Sequence, residues 1–441
     1  MLLTPAEVAA RAPATAGARA FRELRAIAFI SAVAWGIGTN WLGQWFYPIR
    51  GISWGDLLFL GWFGFALLDR QRRRALSRAL WEVRIQTLLM LTFVTLLLLA
   101  TAINSYQFGA SPTDLFAIVR LLYFSAIILF VYLLVCQDGY GWLLCGFLVG
   151  VTLLTLGRFY DAQVSGSVLV KGVILLKDPN VIGNMIGMGV VFCSLGILAG
   201  YLRVSLGAAL FFCVASVMTF SKGTWLMVIF GLAANAVACV MLFRRTRSSF
   251  ATLVPATMVL VVGVAWLVYA NLEVLSTLVD YKFETTSESE TADYRYQFGL
   301  AALHTMVDHP LWGLGFRNFP EVERLYPTII PEPTENAHNA FLQVGAVAGV
   351  PALLVLLALV AYPFFPLFRA LRASFGPRLA WAYVVPVFSA FALSGSVQLQ
   401  LIAQPFFWIF TGIACGWHGT AREAWNGTAA VFARRSVRQV R

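Results

Sequence analysis

Hydrophobic positions fill the chain in long unbroken runs, separated by short polar stretches rich in arginine. The clearest runs are Ala26 to Tyr47, Ile85 to Ile103, Leu115 to Cys136, Phe250 to Ala270 and Ala340 to Phe365. Each is near the ~20 residues that carry a helix across a bilayer. Further spans are read at roughly Trp54 to Asp69, Gly141 to Gly157, Asn180 to Gly200, Ser205 to Phe220, Thr224 to Phe243, Leu379 to Val397 and Gln404 to Gly416. These runs are too long and too evenly apolar for barrel strands. The pattern therefore predicts an all-α integral membrane protein of about twelve transmembrane helices with one large loop.

Composition sharpens that reading. Of 441 residues, 59% are hydrophobic and 12% charged, with a mean hydropathy of +0.76, so the chain has more apolar surface than one soluble core could bury. The first span lacks the short apolar region and small-residue cleavage site of a removable signal peptide, so it is expected to be retained. Cys136, Cys145, Cys193, Cys213, Cys239 and Cys415 all fall in apolar segments without a pairing pattern, and read as small packing residues.

A net charge of +11 raises the possibility of nucleic acid, but the basic residues lie in short loops between spans rather than on one soluble patch. With the N-terminus cytoplasmic, 22 of the 32 basic residues fall on the inside, nine outside and Arg120 within a span. Basic loops stay inside, so both termini are expected to be cytoplasmic. The chain then divides into an N-terminal transmembrane region, 1–270, of about nine helices, a periplasmic loop domain, 271–337, C-terminal transmembrane helices over 338–418 and a basic cytoplasmic tail, 419–441.

The loop carries 11 acidic against 4 basic residues, the reverse of the chain as a whole. Within it Thr291 to His309 reads as a helix. Thr291 is its expected N-cap, Asp293 suits the first turn, and Tyr294, Phe298, Ala301 and Thr305 share a face. His309-Pro310 ends it, and Gly313-Leu314-Gly315 supplies the turn.

Candidate chemistry gathers where this loop re-enters the membrane. In Glu335-Asn336-Ala337-His338-Asn339, a histidine stands between two asparagines. Asn336 is expected to cap the next helix, leaving His338 in its first turn with Asn339 able to fix its tautomer. An interfacial histidine bonded to a carbonyl is the plainer alternative. Arg295, Lys222 and Arg158 lie at the same expected face, where arginine forks and a lysine charge suit a phosphate-bearing ligand. Taken singly, each is more often a snorkelling anchor or an ion-pair member. Asp178 and Ser221 are expected to open helices toward that side, beside Asn180, so helix N-termini could converge on an anion. Arg120, inside a span, should face the bundle, with a functional role and a structural partner both open.

Arg295, the following helix, Asp308-His309-Pro310-Leu311-Trp312-Gly313-Leu314-Gly315-Phe316-Arg317-Asn318-Phe319 and His338-Asn339-Ala340-Phe341-Leu342 together resemble the shared signature of the O-antigen ligase and polymerase superfamily. The chain looks most like an O-antigen ligase. The resemblance is specific from about Arg295 to Gly349, with weaker echoes at Asp178-Pro179-Asn180 and Ser221-Lys222-Gly223.

It implies a GT-C-type glycosyltransferase of the bacterial inner membrane. Such an enzyme moves polysaccharide from undecaprenyl diphosphate to a sugar hydroxyl of lipid A-core, with no cofactor, metal or nucleotide sugar. The family's essential histidine and arginine map to His338 and Arg295, with Arg317, Asn336 and Asn339 in support. Lys222 stands where many relatives carry arginine, which keeps the charge but loses the fork. Chemically, neutral imidazole suits a general base, and the basic residues suit a departing diphosphate.

An O-antigen polymerase is the nearest rival. A protein oligosaccharyltransferase would usually carry a longer C-terminal extension. A lipid or polysaccharide transporter should show broken helices in two matching halves, and one such break is visible, at Pro179. A structural scaffold would not need His338 framed by asparagines.

A cysteine introduced at Ser287 should react with an impermeant maleimide in cells whose inner membrane is intact. Labelling only after permeabilisation would place the loop in the cytoplasm.

Overall fold

A computed structural model of the chain describes residues 23–37, 53–108, 112–136, 140–165, 179–198, 202–218, 288–316, 319–326, 337 and 339–362, with isolated positions between 224 and 232 and between 408 and 415. Among the described residues the fold is all-helical. The helices are α1 (Leu24–Ile37), α2 (Trp54–Leu68), α3 (Arg70–Glu82), α4 (Arg84–Phe108), α5 (Pro112–Cys136), α6 (Tyr140–Ser165), α7 (Pro179–Leu198), α8 (Leu202–Met218), α9 (Glu288–Asp308), α10 (Phe319–Leu325) and α11 (Ala340–Ala361).

Six of the twelve apolar runs became helices within about five residues of their expected ends, α6 runs eight residues past Gly157, and the run from Ala26 is described only to Ile37. The runs Phe250 to Ala270 and Leu379 to Val397 lie outside the described residues, and Thr224 to Phe243 and Gln404 to Gly416 contribute isolated positions. Among the described residues, Arg84–Tyr106 and Ala340–Ala361 are each long and apolar enough to cross a membrane. On α4, Met90, Phe93, Leu97 and Ala100 are buried, while Leu88, Leu91, Leu99 and Ile103 point outward. An apolar outward face on a 25-residue helix suits lipid better than water.

Two boundaries differ from expectation. The arginine-rich stretch after Asp69, read as a loop, is the helix α3. Asp69 turns the chain out of α2 and caps the new helix, accepting from the amides of Gln71 (2.7 Å) and Arg72 (3.3 Å). Leu76 and Ala79 supply its buried stripe. The loop helix α9 begins at Glu288, so Thr291 lies inside it rather than capping it.

Glycine sets how closely α1 and α6 pack. A Cβ at Gly146 would lie 2.3 Å from the carbonyl oxygen of Phe29, and one at Gly150 would lie 2.4 Å from that of Val33. Gly36 meets this stripe from α1, its would-be Cβ 2.7 Å from the Phe147 oxygen. This small-xxx-small spacing lets two backbones touch where lipid gives no hydrophobic drive to associate.

Beside it, α2 and α5 share an aromatic core. Phe59 and Trp62 both meet the Phe130 ring edge-on, at 5.2 and 5.1 Å between centroids. Asp56 is buried above this core and fully engaged. Its carboxylate accepts from the Ser53 amide and hydroxyl (both 2.8 Å), Trp35 Nε1 (3.0 Å) and the Tyr123 hydroxyl (2.7 Å). Arg120 stands 3.8 Å away. Of the two roles open to Arg120, the structure supplies the partner: a buried carboxylate, without which either charge would be expensive in this setting.

Gly150→Ala should lower the thermal midpoint in detergent, since overpacking a close backbone contact costs about 1–3 kcal/mol. Gly64→Ala, in a helix interior where a Cβ meets nothing within 4 Å, is the control and should be neutral or slightly stabilising.

Candidate active site

The candidate site is organised by the way α11 breaks. Pro351 has no amide hydrogen, so the Val347 carbonyl four residues back lacks its helical donor. Gly349 adopts φ 83°, ψ 172°, outside the helical region, and turns the Val350 amide away from Ala346. The turn after α9 fills each vacancy. The Gly315 amide donates to the Val347 carbonyl at 2.8 Å, and Leu314 donates to Ala346 at 3.1 Å. In return the Val350 amide donates to the Pro310 carbonyl at 2.8 Å. Two helical hydrogen-bonding positions are thus exchanged for three tertiary ones.

Side chains larger than hydrogen would prevent this. Gly313, at φ 54°, would place a Cβ 2.3 Å from the Ala346 oxygen. At Gly349 a Cβ would come within 2.4 Å of the Leu311 carbonyl. From the other side, α4 holds the same turn. Asn104 Nδ2 donates to the Gly313 carbonyl at 3.3 Å, and the Phe316 amide donates to Thr101 Oγ1 at 3.3 Å. The segment from Pro310 to Phe316 is therefore held between α4 and the kink of α11.

The N-terminal end of α11 is equally defined. Asn339 is its N-cap, accepting through Oδ1 from the amides of Phe341 (3.0 Å) and Leu342 (3.1 Å). Asn336 does not cap it: the helix starts at Ala340, three residues later than expected. The Asn339 side-chain carbonyl oxygen is committed to the first backbone amides of α11. One turn into α11, buried Gln343 reaches back, and its Oε1 accepts from the Ala337 amide at 2.5 Å. The chain on both sides of position 338 is anchored to α11.

On α9, Phe298, Ala301 and Thr305 are buried as their spacing implied, and Met306 packs against Gly345 of α11. At its C-terminal end the Tyr326 hydroxyl donates to Asp308 Oδ2, and the His304 ring stacks on Tyr326 at 5.7 Å between centroids. Partial burial, then the bond to Asp308 and its negative charge, push the Tyr326 hydroxyl up to about 12. It therefore stays a neutral donor across the physiological range.

Of the residues singled out from the sequence, His338, Lys222, Ser221, Asn336, Asp178 and Arg317 lie outside the described residues. Arg295 is on α9, Arg158 on α6 and Asn180 in the first turn of α7, with their side chains outside the description. Arg158 directly follows the apolar stretch Gly141–Gly157, within α6, which continues to Ser165.

Residues 207–357 match the O-antigen ligase family model. Over that stretch the chain is similar to the O-antigen ligase family. No curated protein matches it. The matched stretch covers about a third of the chain and runs from within α8 through α9, the docked turn and α10 to beyond the kink of α11. It includes Ser221, Lys222, Arg295, Arg317, Asn336, His338 and Asn339. Proteins of the O-antigen ligase family are membrane proteins, in keeping with the apolar helices here.

The residues that the sequence reading missed are Thr101, Asn104, Gln343 and the Gly349–Pro351 pair. Gln343 had a signal, a lone amide in an apolar run four residues after Asn339. Thr101 and Asn104 had none, because their partners lie about 210 residues away in sequence.

Gly349→Ala should destabilise by more than about 1 kcal/mol, through both its φ and the Leu311 contact. Gln343→Leu strands the buried Ala337 amide, a loss of about 1–3 kcal/mol, while Gln343→Glu keeps an acceptor and should lose less. Thermal midpoints in detergent measure both.

Proposed function

We propose that this protein is an O-antigen ligase of the bacterial inner membrane. In this reading it transfers polysaccharide from undecaprenyl diphosphate to a sugar hydroxyl of lipid A-core. The observation that carries it is the family match over 207–357, the stretch that contains the His338-Asn339 pair, Arg295 and Lys222. The anchoring of Ala337 and Asn339 to α11 supports a histidine with a defined backbone position, which a general base requires.

In the proposed reaction His338, as neutral imidazole, takes the proton of the acceptor hydroxyl while its oxygen attacks the anomeric carbon of the donor. The bond from that carbon to the diphosphate oxygen breaks, and undecaprenyl diphosphate leaves. Attack opposite the leaving group inverts the anomeric configuration. Arg295, Lys222 and Arg158, with the helix N-termini near Asp178, Asn180 and Ser221, offset the charge developing on the diphosphate. No metal is needed in this scheme.

The surrounding architecture belongs to the same proposal. It comprises about twelve transmembrane helices in a GT-C-type arrangement, the 271–337 loop in the periplasm and both termini in the cytoplasm. An O-antigen polymerase would share the donor chemistry and differ in its acceptor, a growing glycan.

His338→Ala should abolish lipopolysaccharide laddering in cells at unchanged membrane protein level, since a general base contributes about 10²- to 10⁴-fold. His304→Ala and His309→Ala are controls and should ladder normally. Arg295→Ala should weaken transfer, with Arg295→Lys restoring it partly if charge matters and hardly if the fork does. With purified components transfer should survive EDTA. A normal ladder from well-expressed His338→Ala removes the base role.

A further inference from the structure

A cavity of about 540 Å³ lies along α1 and α2. Trp54, Leu57, Gly61 and Phe65 line it, so at 1.5 Å per residue it follows α2 for roughly 16 Å. Glu23 and Arg72 line it as well. Arg72 is held there by three groups: Glu23 Oε1 lies 2.5 Å from its Nη1, Asp69 lies 3.5 Å from its Nε, and the Phe65 ring lies 5.0 Å from its guanidinium carbon. The groove is thus apolar along its length and reaches the first turn of α3.

That helix is cationic on its outer surface. Arg70, Arg73, Arg74 and Arg78 are exposed, and none forms an ion pair with an acid among the described residues. Large apolar side chains flank them: Leu68 is 81% exposed and Trp81 67% exposed, with Arg84 stacked over the Trp81 ring at 4.4 Å. A short helix bounded by single-residue corners at Asp69 and Val83, joining two apolar helices, with arginines and an outward tryptophan, has the character of an interfacial helix.

We propose that the groove and the α3 arginines form one binding site for an anionic phospholipid. An acyl chain lies along Trp54, Leu57, Gly61 and Phe65. The phosphate-bearing headgroup sits on Arg70, Arg73, Arg74 and Arg78, whose forks donate to phosphate oxygens. A free anion would have no use for the groove, and a zwitterionic lipid would leave the charge of α3 uncompensated. The site is independent of the transferase reading.

Native mass spectrometry of the purified full-length protein in detergent, titrated with phosphatidylglycerol or phosphatidylcholine of identical acyl chains, tests this. Wild type should retain phosphatidylglycerol about tenfold better. That preference should vanish in about 1 M salt, where screening acts within about 3 Å. Replacing Arg70, Arg73, Arg74 and Arg78 together by glutamine should bring phosphatidylglycerol down to the phosphatidylcholine level, while the fourfold lysine replacement keeps most of the preference. Gly61→Phe fills a position where a Cβ meets nothing within 4 Å, and should lower retention of both lipids. Equal retention of the two lipids by wild type, a preference unchanged by salt, or undiminished binding by Gly61→Phe would each overturn the proposal.

Discussion

The architecture around the candidate site depends on backbone hydrogen bonds that α11 cannot make for itself. Pro351 removes a donor and Gly349 redirects one, in a helix whose first half is almost wholly buried. An unpaired carbonyl there is costly because no water is at hand to replace the lost partner. The turn from Pro310 to Gly315 supplies the partners and needs glycine at 313 for its backbone to come close enough. The break in α11 and the turn after α9 are therefore one device, divided between two parts of the chain.

This coupling joins the described helices of the family-matched stretch to one another. It ties the end of α9 to α11 and, through Asn104 and Thr101, to α4. At the other end of the same half-helix, Asn339 and Gln343 anchor the backbone around position 338. A short segment thus has the docked turn at one end and the anchored residues Ala337 and Asn339 at the other.

Charge is handled by a different rule in the N-terminal helices. Asp56 is buried yet accepts from several donors and pairs with Arg120, so a charge that sequence alone left unexplained becomes part of a closed network. The arginines of α3 are the converse: apart from Arg72 they face outward, beside exposed Leu68 and Trp81. One set is spent on holding α2 to α5, while the other remains available to a surface of opposite charge.

Much of this was legible from one dimension. Apolar run lengths located six of the helices to within about five residues, because a helix satisfies its own backbone and so declares its length locally. The buried face of α9, the stop at His309-Pro310 and the glycine turn were readable for the same reason: each is a matter of neighbouring residues. Tertiary structure decided what depends on distant partners. Asn339, not Asn336, caps α11, because Gln343 draws Ala337 back before the helix begins. Asp56 is the partner of Arg120, from another helix. The glycines at 313 and 349 are required because two segments meet there, a proximity that no local pattern encodes.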